Sequence, residues 1–329
     1  MNVASLIDTV LDLGVVGYTS VGYHIRERTW DADDLAPMDG RVVLLTGATS
    51  GIGRAAAEGF AQLGASVRML ARDPRRGERV RAEIVARSGN GKVQLELCDL
   101  SDLAAVRRFA ERFSARSSRL DVLVNNAGVL TNERMLSAAG IELTFATNVL
   151  GPFVLTQMLT GLLARTAPSR IVNVSSGGMY TQRLHVEDLQ MAGEAFDGPV
   201  AYARTKRIEV ILTELWAERL KDTGVVAHAM HPGWVDTAGL ASSLPRFHRL
   251  TRPLLRTPQQ GADTIVWLGA AAEPARTSGE FWHDRRARPT HRVPWTKESA
   301  EEREALWAEC ERLGAGATDS ASATPAGRL

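Results

Sequence analysis

Six short, strongly apolar runs alternate with longer amphipathic segments along the middle of this chain, and this alternation restricts the fold more than any other feature. The runs occupy residues 41–47, 65–71, 92–98, 121–127, 170–176 and 225–231. Alternating strands and helices fold into a parallel sheet, because parallel neighbours need a long crossover connection. Most of these runs contain consecutive apolar residues and no strict apolar–polar alternation, which is typical of a sheet buried on both faces. We therefore predict a doubly wound, three-layer α/β/α structure in a single domain.

The predicted sheet domain covers residues 40–285, and a shorter segment, residues 1–39, precedes it. The apolar stretch at the start of that segment is interrupted by Asp8 and Asp12. It is too short for a membrane-spanning helix, and it lacks the basic start of a secretory signal. We predict an amphipathic helix within residues 1–20 that docks on the protein. Contact of this helix with a membrane surface is the alternative.

After the sheet domain, residues 286–314 are predicted to form a helical extension, and residues 315–329, which are small and polar, a disordered tail. The 329-residue chain has a formal net charge of +1 with acids and bases mixed along its length. This balance argues against a nucleic-acid partner. Cys98 and Cys310 are the only cysteines. No disulfide framework is indicated, so we expect a cytoplasmic protein.

The first predicted strand runs directly into a glycine-rich turn and then into a helix, TGATSGIGRAAAEGF. Its glycines permit a tight turn and close approach of the backbone to a phosphate, whose charge the helix N-terminus stabilises. This order is typical of dinucleotide binding in Rossmann folds, although the spacing G-x-x-x-G-x-G differs from the standard G-x-G-x-x-G. The predicted cofactor contacts in this turn are Gly47, Ser50, Gly51, Ile52 and Gly53.

The end of the second predicted strand indicates which nucleotide binds. It reads MLARD, with Arg72 before Asp73. The planar guanidinium of Arg72 suits the 2′-phosphate of NADP, whereas an acid at this edge would hold the unmodified ribose of NAD. We therefore predict NADP as the cofactor, with NAD as the alternative because of Asp73. The residues expected to wall the adenosine pocket at this edge are Asp99, Leu100, Asn126, Ala127 and Gly128.

The glycine turn is one of six motifs that follow one another in a fixed order. The others are NNAG, Asn148 within TNVLG, Ser176 after IVNVS, YARTK at residues 202–206, and PGWVDT. Together they resemble the short-chain dehydrogenase/reductases (SDR) in their shorter, non-extended form, over about residues 40–285. The resemblance implies an NAD(P)-dependent oxidoreductase that interconverts a carbonyl and an alcohol. The segments SGGM, DLQ, FDG, HPGW, QGADT and GYTSVGY resemble one orphan branch of this family in particular.

Tyr202 and Lys206 lie four residues apart, so both side chains project from one face of the predicted helix. A free tyrosine has a pKa of about 10, and a nearby ammonium favours its phenolate form. Tyr202 is therefore expected to act as general base in alcohol oxidation and to donate the proton in carbonyl reduction. Ser176, at the end of the fifth strand, is expected to hydrogen-bond the substrate oxygen as negative charge develops there.

The resemblance implies further roles for residues within these motifs. It selects Ser176 rather than the adjacent Ser175 as the catalytic serine, and it assigns to Asn148 a water that links the lysine to bulk solvent. It gives Lys206 a second hydrogen bond, to the nicotinamide ribose. The residues that it places against the nicotinamide carboxamide and phosphate are Pro232, Gly233 and Thr237. Family members also pair through their fourth and fifth helices, which implies a homodimer or homotetramer.

Two loops, 177–200 and 238–260, are predicted to form the substrate site. The first resembles an insertion in the retinol-dehydrogenase-like branch of the family. The second is long and apolar, as expected of a mobile lid. The residues predicted to line a hydrophobic pocket are Met179, Tyr180, Leu240 and Leu244. We therefore expect an apolar substrate.

Three further features leave alternatives open. His231 and His248 are candidate acids, but no cluster with metal-ligand spacing surrounds them, so we expect structural roles and no metal. The aromatic and basic stretch FWHDRRARPTHRVPW after residue 280 either closes over the substrate site or forms an interface. The alternative function is that of a catalytically weak NAD(P)-binding regulatory or interaction protein on the same fold.

Overall fold

The computed structural model describes residues 8, 11, 12, 14–31, 33–193 and 195–316 of the chain. Eight strands form one sheet: β1 (Val42–Thr46), β2 (Ser66–Ala71), β3 (Val93–Leu97), β4 (Val122–Asn125), β5 (Ser169–Val174), β6 (Val225–Met230), β7 (Phe281–His283) and β8 (Arg286–Arg288). Their order is β3-β2-β1-β4-β5-β6-β7-β8. All neighbours are parallel except β7 and β8, which form an antiparallel hairpin. The predicted doubly wound sheet is confirmed.

Helices cover both faces of the sheet. They are α1 (Ser20–Glu27), α2 (Gly51–Gln62), α3 (Pro74–Ser88), α4 (Leu103–Arg116), α5 (Leu143–Thr166), α6 (Gly198–Arg219), α7 (Ala238–Ser243), α8 (Pro245–Thr251), α9 (Pro258–Ala270) and α10 (Ala300–Ala315). One core includes Phe109 of α4, Phe153 of α5 and Trp216 of α6. The other includes Phe60 of α2 and Trp267 of α9. The sheet is therefore buried between two apolar layers, as its continuous apolar strands predict.

The hairpin β7–β8 is the part of the sheet that the sequence pattern did not reveal. Each strand has three residues, FWH and RAR, with no β-branched run. Phe281 and Trp282 pair with Ala229 and Met230 of β6, so the aromatic side chains become part of the core only through this pairing. The sheet thus continues to Arg288, beyond residue 285, where the sequence suggested that the domain ends.

The ends of the chain lie partly outside the described residues. Of the predicted helix within residues 1–20, residues 1–7, 9, 10 and 13 are outside, as are residues 317–329 of the predicted tail. The described part of the N-terminal segment forms a 3₁₀ turn, Val15–Tyr18, followed by α1. In the part of the chain that is described, α5 alone has the length and hydropathy of a membrane-crossing helix. Of its apolar window, 78% is buried, as in a core helix.

Candidate active site

The glycine turn after β1 packs directly against the end of β4. Gly47 and Gly51 have φ of +69° and +49°, a conformation that side-chain-bearing residues rarely adopt. A Cβ atom at Gly47 would lie 2.8 Å from the Cα of Ala127. The glycine that the sequence selected is therefore required by both the backbone conformation and the close approach of the two strand ends.

Thr46, which the sequence reasoning missed, connects these two strand ends. Its hydroxyl oxygen accepts hydrogen bonds from the backbone N–H groups of Asn126 at 2.9 Å and Ala127 at 3.0 Å. The Asn126 side chain in turn donates to the Thr46 carbonyl at 2.9 Å. A threonine at the end of a β-strand is too common to attract attention in a sequence. Its role here depends on the neighbouring strand.

The segment after β6 lies against the same glycine turn. A Cβ atom at Gly51 would lie 3.1 Å from the Cγ2 of Thr237, and the Thr237 hydroxyl caps α7 by accepting from the Leu240 N–H at 3.1 Å. Gly233 has a φ of +77°. The structure thus brings together the two segments predicted to hold the pyrophosphate and the nicotinamide, although they are almost 190 residues apart in sequence.

At the end of β2, Asp73 and Arg72 are the two candidate contacts to the adenosine ribose or its 2′-phosphate, and their surroundings differ. Asp73 is the N-cap of α3, and its side chain accepts from the backbone N–H groups of Arg75 at 2.9 Å and Arg76 at 3.1 Å. Arg72 is exposed, and its guanidinium has no hydrogen-bond or ionic partner among the described residues. At the end of β3, Asp99 accepts from the N–H of Ser101 at 2.9 Å. Of the two residues at the end of β2, Arg72 is therefore the one free to bind an anion.

The two adjacent serines after β5 have different environments. Ser175 is 3% exposed, and its hydroxyl donates to the backbone carbonyl of Lys206 at 2.7 Å. Ser176 is half-buried, and its Oγ accepts from the Gly178 N–H at 3.2 Å. The Ser176 hydroxyl proton has no acceptor in the described part of the protein. A Cβ atom at Gly178 would lie 3.6 Å from Ser176 Oγ and 3.8 Å from the Cβ of Ala203, so this loop packs against α6 beside Tyr202.

The ammonium group of Lys206 faces Tyr202 on α6. Its Nζ lies 5.4 Å from the centroid of the Tyr202 ring. Lys206 is 2% exposed, and Nζ donates to the Val174 carbonyl at 2.9 Å and to Glu209 Oε1 at 2.7 Å. Burial alone would lower the pKa of Lys206, but Glu209 and Tyr202 act against it and the pKa is raised. Glu209 is a second residue that the sequence reasoning missed, because a glutamate in a helix is usually solvated.

Asn148 lies in a π-helical turn, Ala146–Leu150, at the start of α5. Its side chain accepts from the Val129 N–H at 2.8 Å, and it donates to the Val129 carbonyl and to the Thr205 hydroxyl, both at 3.0 Å. A Cβ atom at Gly128 would lie 3.4 Å from the Lys206 Nζ and 3.5 Å from Asn148 Oδ1. Asn148, Gly128 and Lys206 therefore meet at one point beneath the ends of β4 and β5.

The substrate loops differ in part from the predicted pocket. Met179 is fully buried and packs with Val210 and Phe281, so its predicted place in the pocket lining is wrong. The loop after β5 turns it inward through the 3₁₀ turn Gly177–Thr181. Tyr180 is anchored, because its hydroxyl donates to the Pro289 carbonyl at 2.7 Å. Leu240 and Leu244 are half-buried.

Aromatic rings from three segments form a row beside Ser176. The Tyr18 ring lies near Gly177, where a Cβ atom would be 3.6 Å from Tyr18 Cε1. Tyr18 stacks on Trp234 with ring centroids 6.0 Å apart, and Trp234 contacts Phe247 of α8 edge-on at 5.0 Å. We call Tyr18, Trp234 and Phe247 the aromatic row. Tyr18 comes from the N-terminal segment, so its place near Ser176 could not be deduced from the sequence.

The histidines have structural contacts. His231 is 2% exposed and stacks on His283 with ring centroids 3.8 Å apart. Burial holds the pKa of His231 well below its usual range, so the ring is neutral. His248 bonds the Asp236 carboxylate at 2.8 Å. Among the residues that the structure covers, no group of three histidine, cysteine, aspartate or glutamate side chains is arranged to hold a metal ion.

The segment after β8 packs on α6. Arg207, adjacent to Lys206 and fully buried, pairs with Glu298 at 3.1 Å and donates to the backbone carbonyl of Thr296 at 3.2 Å. The aromatic and basic stretch after residue 280 is thus divided between the β7–β8 hairpin and a segment that packs on α6.

Comparisons with known proteins agree with this arrangement. The family model for short chain dehydrogenase matches residues 41–246. Dehydrogenase/reductase SDR family member 12 of Bos taurus is 43% identical over 280 residues, which cover 84% of this chain and 87% of the relative. Retinol dehydrogenase 12 of Bos taurus is 37% identical over 278 residues, with the same coverage of 84% and 87%. The solved RhlG/NADP active-site complex of Pseudomonas aeruginosa aligns with a TM-score of 0.61 and 26% identity over 74% of this chain and 94% of that chain.

Proposed function

This chain belongs to the short-chain dehydrogenase/reductase family and is an NAD(P)-dependent oxidoreductase, and we propose that it uses NADP(H) to interconvert a carbonyl and an alcohol on an apolar small molecule. The observation that carries the reaction type is the buried ammonium of Lys206 facing the Tyr202 ring, with Asn148 beside it. A tyrosine next to a fixed cation is suited to exchange a proton with a substrate oxygen.

Each site residue has a distinct role in the proposed reaction. The Tyr202 hydroxyl donates its proton to the substrate oxygen in reduction and accepts one in oxidation. The free hydroxyl proton of Ser176 bonds the same oxygen as its negative charge grows. Lys206 stabilises the Tyr202 phenolate. The nicotinamide, when bound, supplies or accepts the hydride. Asn148 is proposed to hold the water that connects Lys206 to solvent.

The cofactor preference rests on the end of β2. Asp73 is engaged as a helix cap, whereas Arg72 is free to bind the 2′-phosphate that distinguishes NADP from NAD. The glycine turn and the N-terminus of α2 suit the pyrophosphate. The RhlG complex holds NADP on a similar fold. These observations support NADP(H), and NAD stays the alternative.

The proposed apolar substrate rests on the aromatic row. Tyr18, Trp234 and Phe247 present ring surfaces next to the loop that carries Ser176. Ring surfaces favour apolar ligands, because contact with them removes apolar area from water. Relatives at 37% identity are named as retinol dehydrogenases, and retinol is an apolar alcohol. We also propose a cytoplasmic location for this protein. Cys98 and Cys310 are both free, as a reducing compartment requires.

The first test is titration of the purified protein with NADPH and with NADH, followed by nicotinamide fluorescence. A charge-assisted hydrogen bond contributes about 1.5–3 kcal/mol, so Arg72→Ala is expected to weaken NADPH binding by roughly 10- to 100-fold. NADH binding is expected to change little. Arg79→Ala, an exposed arginine of α3, is the matched control and should bind NADPH as the wild type does.

Once NADPH binds, a panel of apolar aldehydes identifies a substrate through loss of NADPH absorbance. Tyr202→Phe is expected to bind the cofactor and to lose turnover. Equal NADPH affinity in the Arg72→Ala variant would contradict the NADP assignment. Binding of neither nucleotide to the wild type would instead favour a regulatory or interaction protein on this fold.

A further inference from the structure

A buried carboxylate, that of Glu209, lies next to Lys206 and Tyr202 on α6. Glu209 follows Lys206 by three residues on α6 and is 8% exposed. Its Oε1 accepts from Lys206 Nζ at 2.7 Å. Its Oε2 is also buried, and it has no hydrogen-bond partner among the described residues. A buried carboxylate is costly unless a charge pairs with it, so Glu209 needs Lys206 as much as Lys206 needs a counterion.

The hydrogen bonds of Lys206 show what Glu209 does for the site. An ammonium has three protons to donate. One goes to the Val174 carbonyl at the end of β5 and one to Glu209, which leaves one for the cofactor or for solvent. The two protein acceptors therefore fix Nζ in place, and only Glu209 carries the charge that favours an ammonium over a neutral amine.

Among the described residues, Glu209 is the one carboxylate that acts on the Lys206 charge. The groups that act on the Lys206 charge are Glu209 and Tyr202. Asn148 and the Val174 carbonyl, on the neighbouring elements, are uncharged. Burial raises the pKa of Glu209, and the charge and hydrogen bond of Lys206 oppose this rise. The pair is thus an isolated ion pair in the interior.

We propose that Glu209 is a positioning residue, whose carboxylate keeps the Lys206 ammonium charged and holds it at the end of β5 where it faces Tyr202. The importance of this pair for turnover rests on the proposed function, since Lys206 matters there through Tyr202. The charge state of Lys206, however, can be measured without substrate or cofactor. A failure of the oxidoreductase assignment would therefore be separate from a failure of this proposal.

The test is a pH titration of the lysine side chains by carbon-13 NMR on the full chain, which has only four lysines. Lys206→Arg identifies the Lys206 Cε signal. In the wild type we expect this signal to keep its ammonium shift up to about pH 10. In Glu209→Gln, burial without a counterion is expected to lower the titration midpoint of Lys206 by at least about 2 pH units.

Two further variants make the result decisive. Glu209→Asp keeps a carboxylate but places it one carbon farther from Lys206 Nζ. We expect its Lys206 midpoint to lie between those of Glu209→Gln and the wild type, and we expect it to fold if Glu209→Gln does not. Glu214→Gln lies on the same helix but pairs with Arg303, so it should leave the Lys206 signal unchanged. A Lys206 midpoint in Glu209→Gln equal to that of the wild type would overturn the proposal. Where only Glu209→Asp folds, a midpoint equal to that of the wild type overturns it, because a carboxylate farther from Nζ must favour the ammonium less strongly.

Discussion

At the scale of single residues, Ser175 and Ser176 are adjacent in the chain, but their hydroxyl groups have different partners. Ser175 is buried, and its hydroxyl donates a hydrogen bond to the backbone carbonyl of Lys206. Ser176 keeps a free hydroxyl proton at the loop surface. The backbone stays extended just past β5, with φ of −151° and ψ of 151° at Ser176, so successive side chains point to opposite sides of the chain. Only Ser176 is therefore available to a substrate.

This difference predicts opposite effects of two conservative substitutions. Ser176→Ala is expected to lower kcat for an aldehyde substrate by about 10²–10³-fold, the loss typical when one donor to a developing oxyanion is removed. Ser175→Ala removes a buried hydrogen bond to α6 and is expected to lower the free energy of unfolding by about 0.5–1.5 kcal/mol. Steady-state kinetics and urea unfolding of both variants separate the effects. The reverse pattern would contradict the assignment of the two serines.

At the scale of elements, the N-terminal segment is held on the site by buried ion pairs. Arg26 of α1 contacts Asp8 and Asp284, each at 2.7 Å, and Asp284 also binds Arg256, which lies between α8 and α9. The Arg256 guanidinium donates to the backbone carbonyls of Gly17 and Pro232. One cluster of charges therefore connects the segment that carries Tyr18 to the segment predicted to bind the nicotinamide.

Removal of Arg26 is expected to leave the Asp8 and Asp284 carboxylates without one partner in the interior. Breaking such a pair from one side typically costs about 3–5 kcal/mol, so Arg26→Ala should lower the free energy of unfolding by about that amount. Chemical denaturation measures the change. Arg28→Ala, an exposed residue just after α1, is the matched control and should be close to neutral. Equal stability of the two variants would show that the cluster does not hold the segment.

At the scale of the whole molecule, stability is expected to depend on pH through His283, which is 1% exposed. Burial lowers its pKa to about 4 from 6.5, although the adjacent Asp284 acts in the opposite direction. The unfolded chain therefore binds a proton that the folded protein excludes. This contribution to stability is complete above about pH 6.5 and is lost as the pH falls towards 4.

The expected loss from this histidine is at most about 1.4 kcal/mol per pH unit between pH 6.5 and 4. Urea unfolding at a series of pH values tests it. His283→Gln should make the dependence less steep in this range, with His231 still contributing, whereas His248→Gln, whose ring lies nearer the surface, should leave it largely unchanged. A wild-type protein whose stability is constant from pH 7 to 4 would contradict the prediction.

Much of this molecule follows from local sequence. The six apolar runs determine the parallel part of the sheet, because a strand with consecutive apolar residues is stable only when both of its faces are covered. Gly47 is predictable because a tight turn needs a positive φ, and Tyr202 and Lys206 are predictable because helical spacing places them on one face. These features depend on residues that are close together in the chain.

The features that depend on residues far apart in the chain were decided only by the tertiary structure. The strands β7 and β8 are too short to show a period of their own, and they exist through pairing with β6. Thr46 acquires its role from Asn126 on another strand, and Tyr18 reaches the active site only because buried charges hold the N-terminal segment there. Glu209 looks like a surface residue in the sequence, and burial makes it the counterion of Lys206. Burial and long-range contact are properties of the folded chain, so no local pattern encodes them.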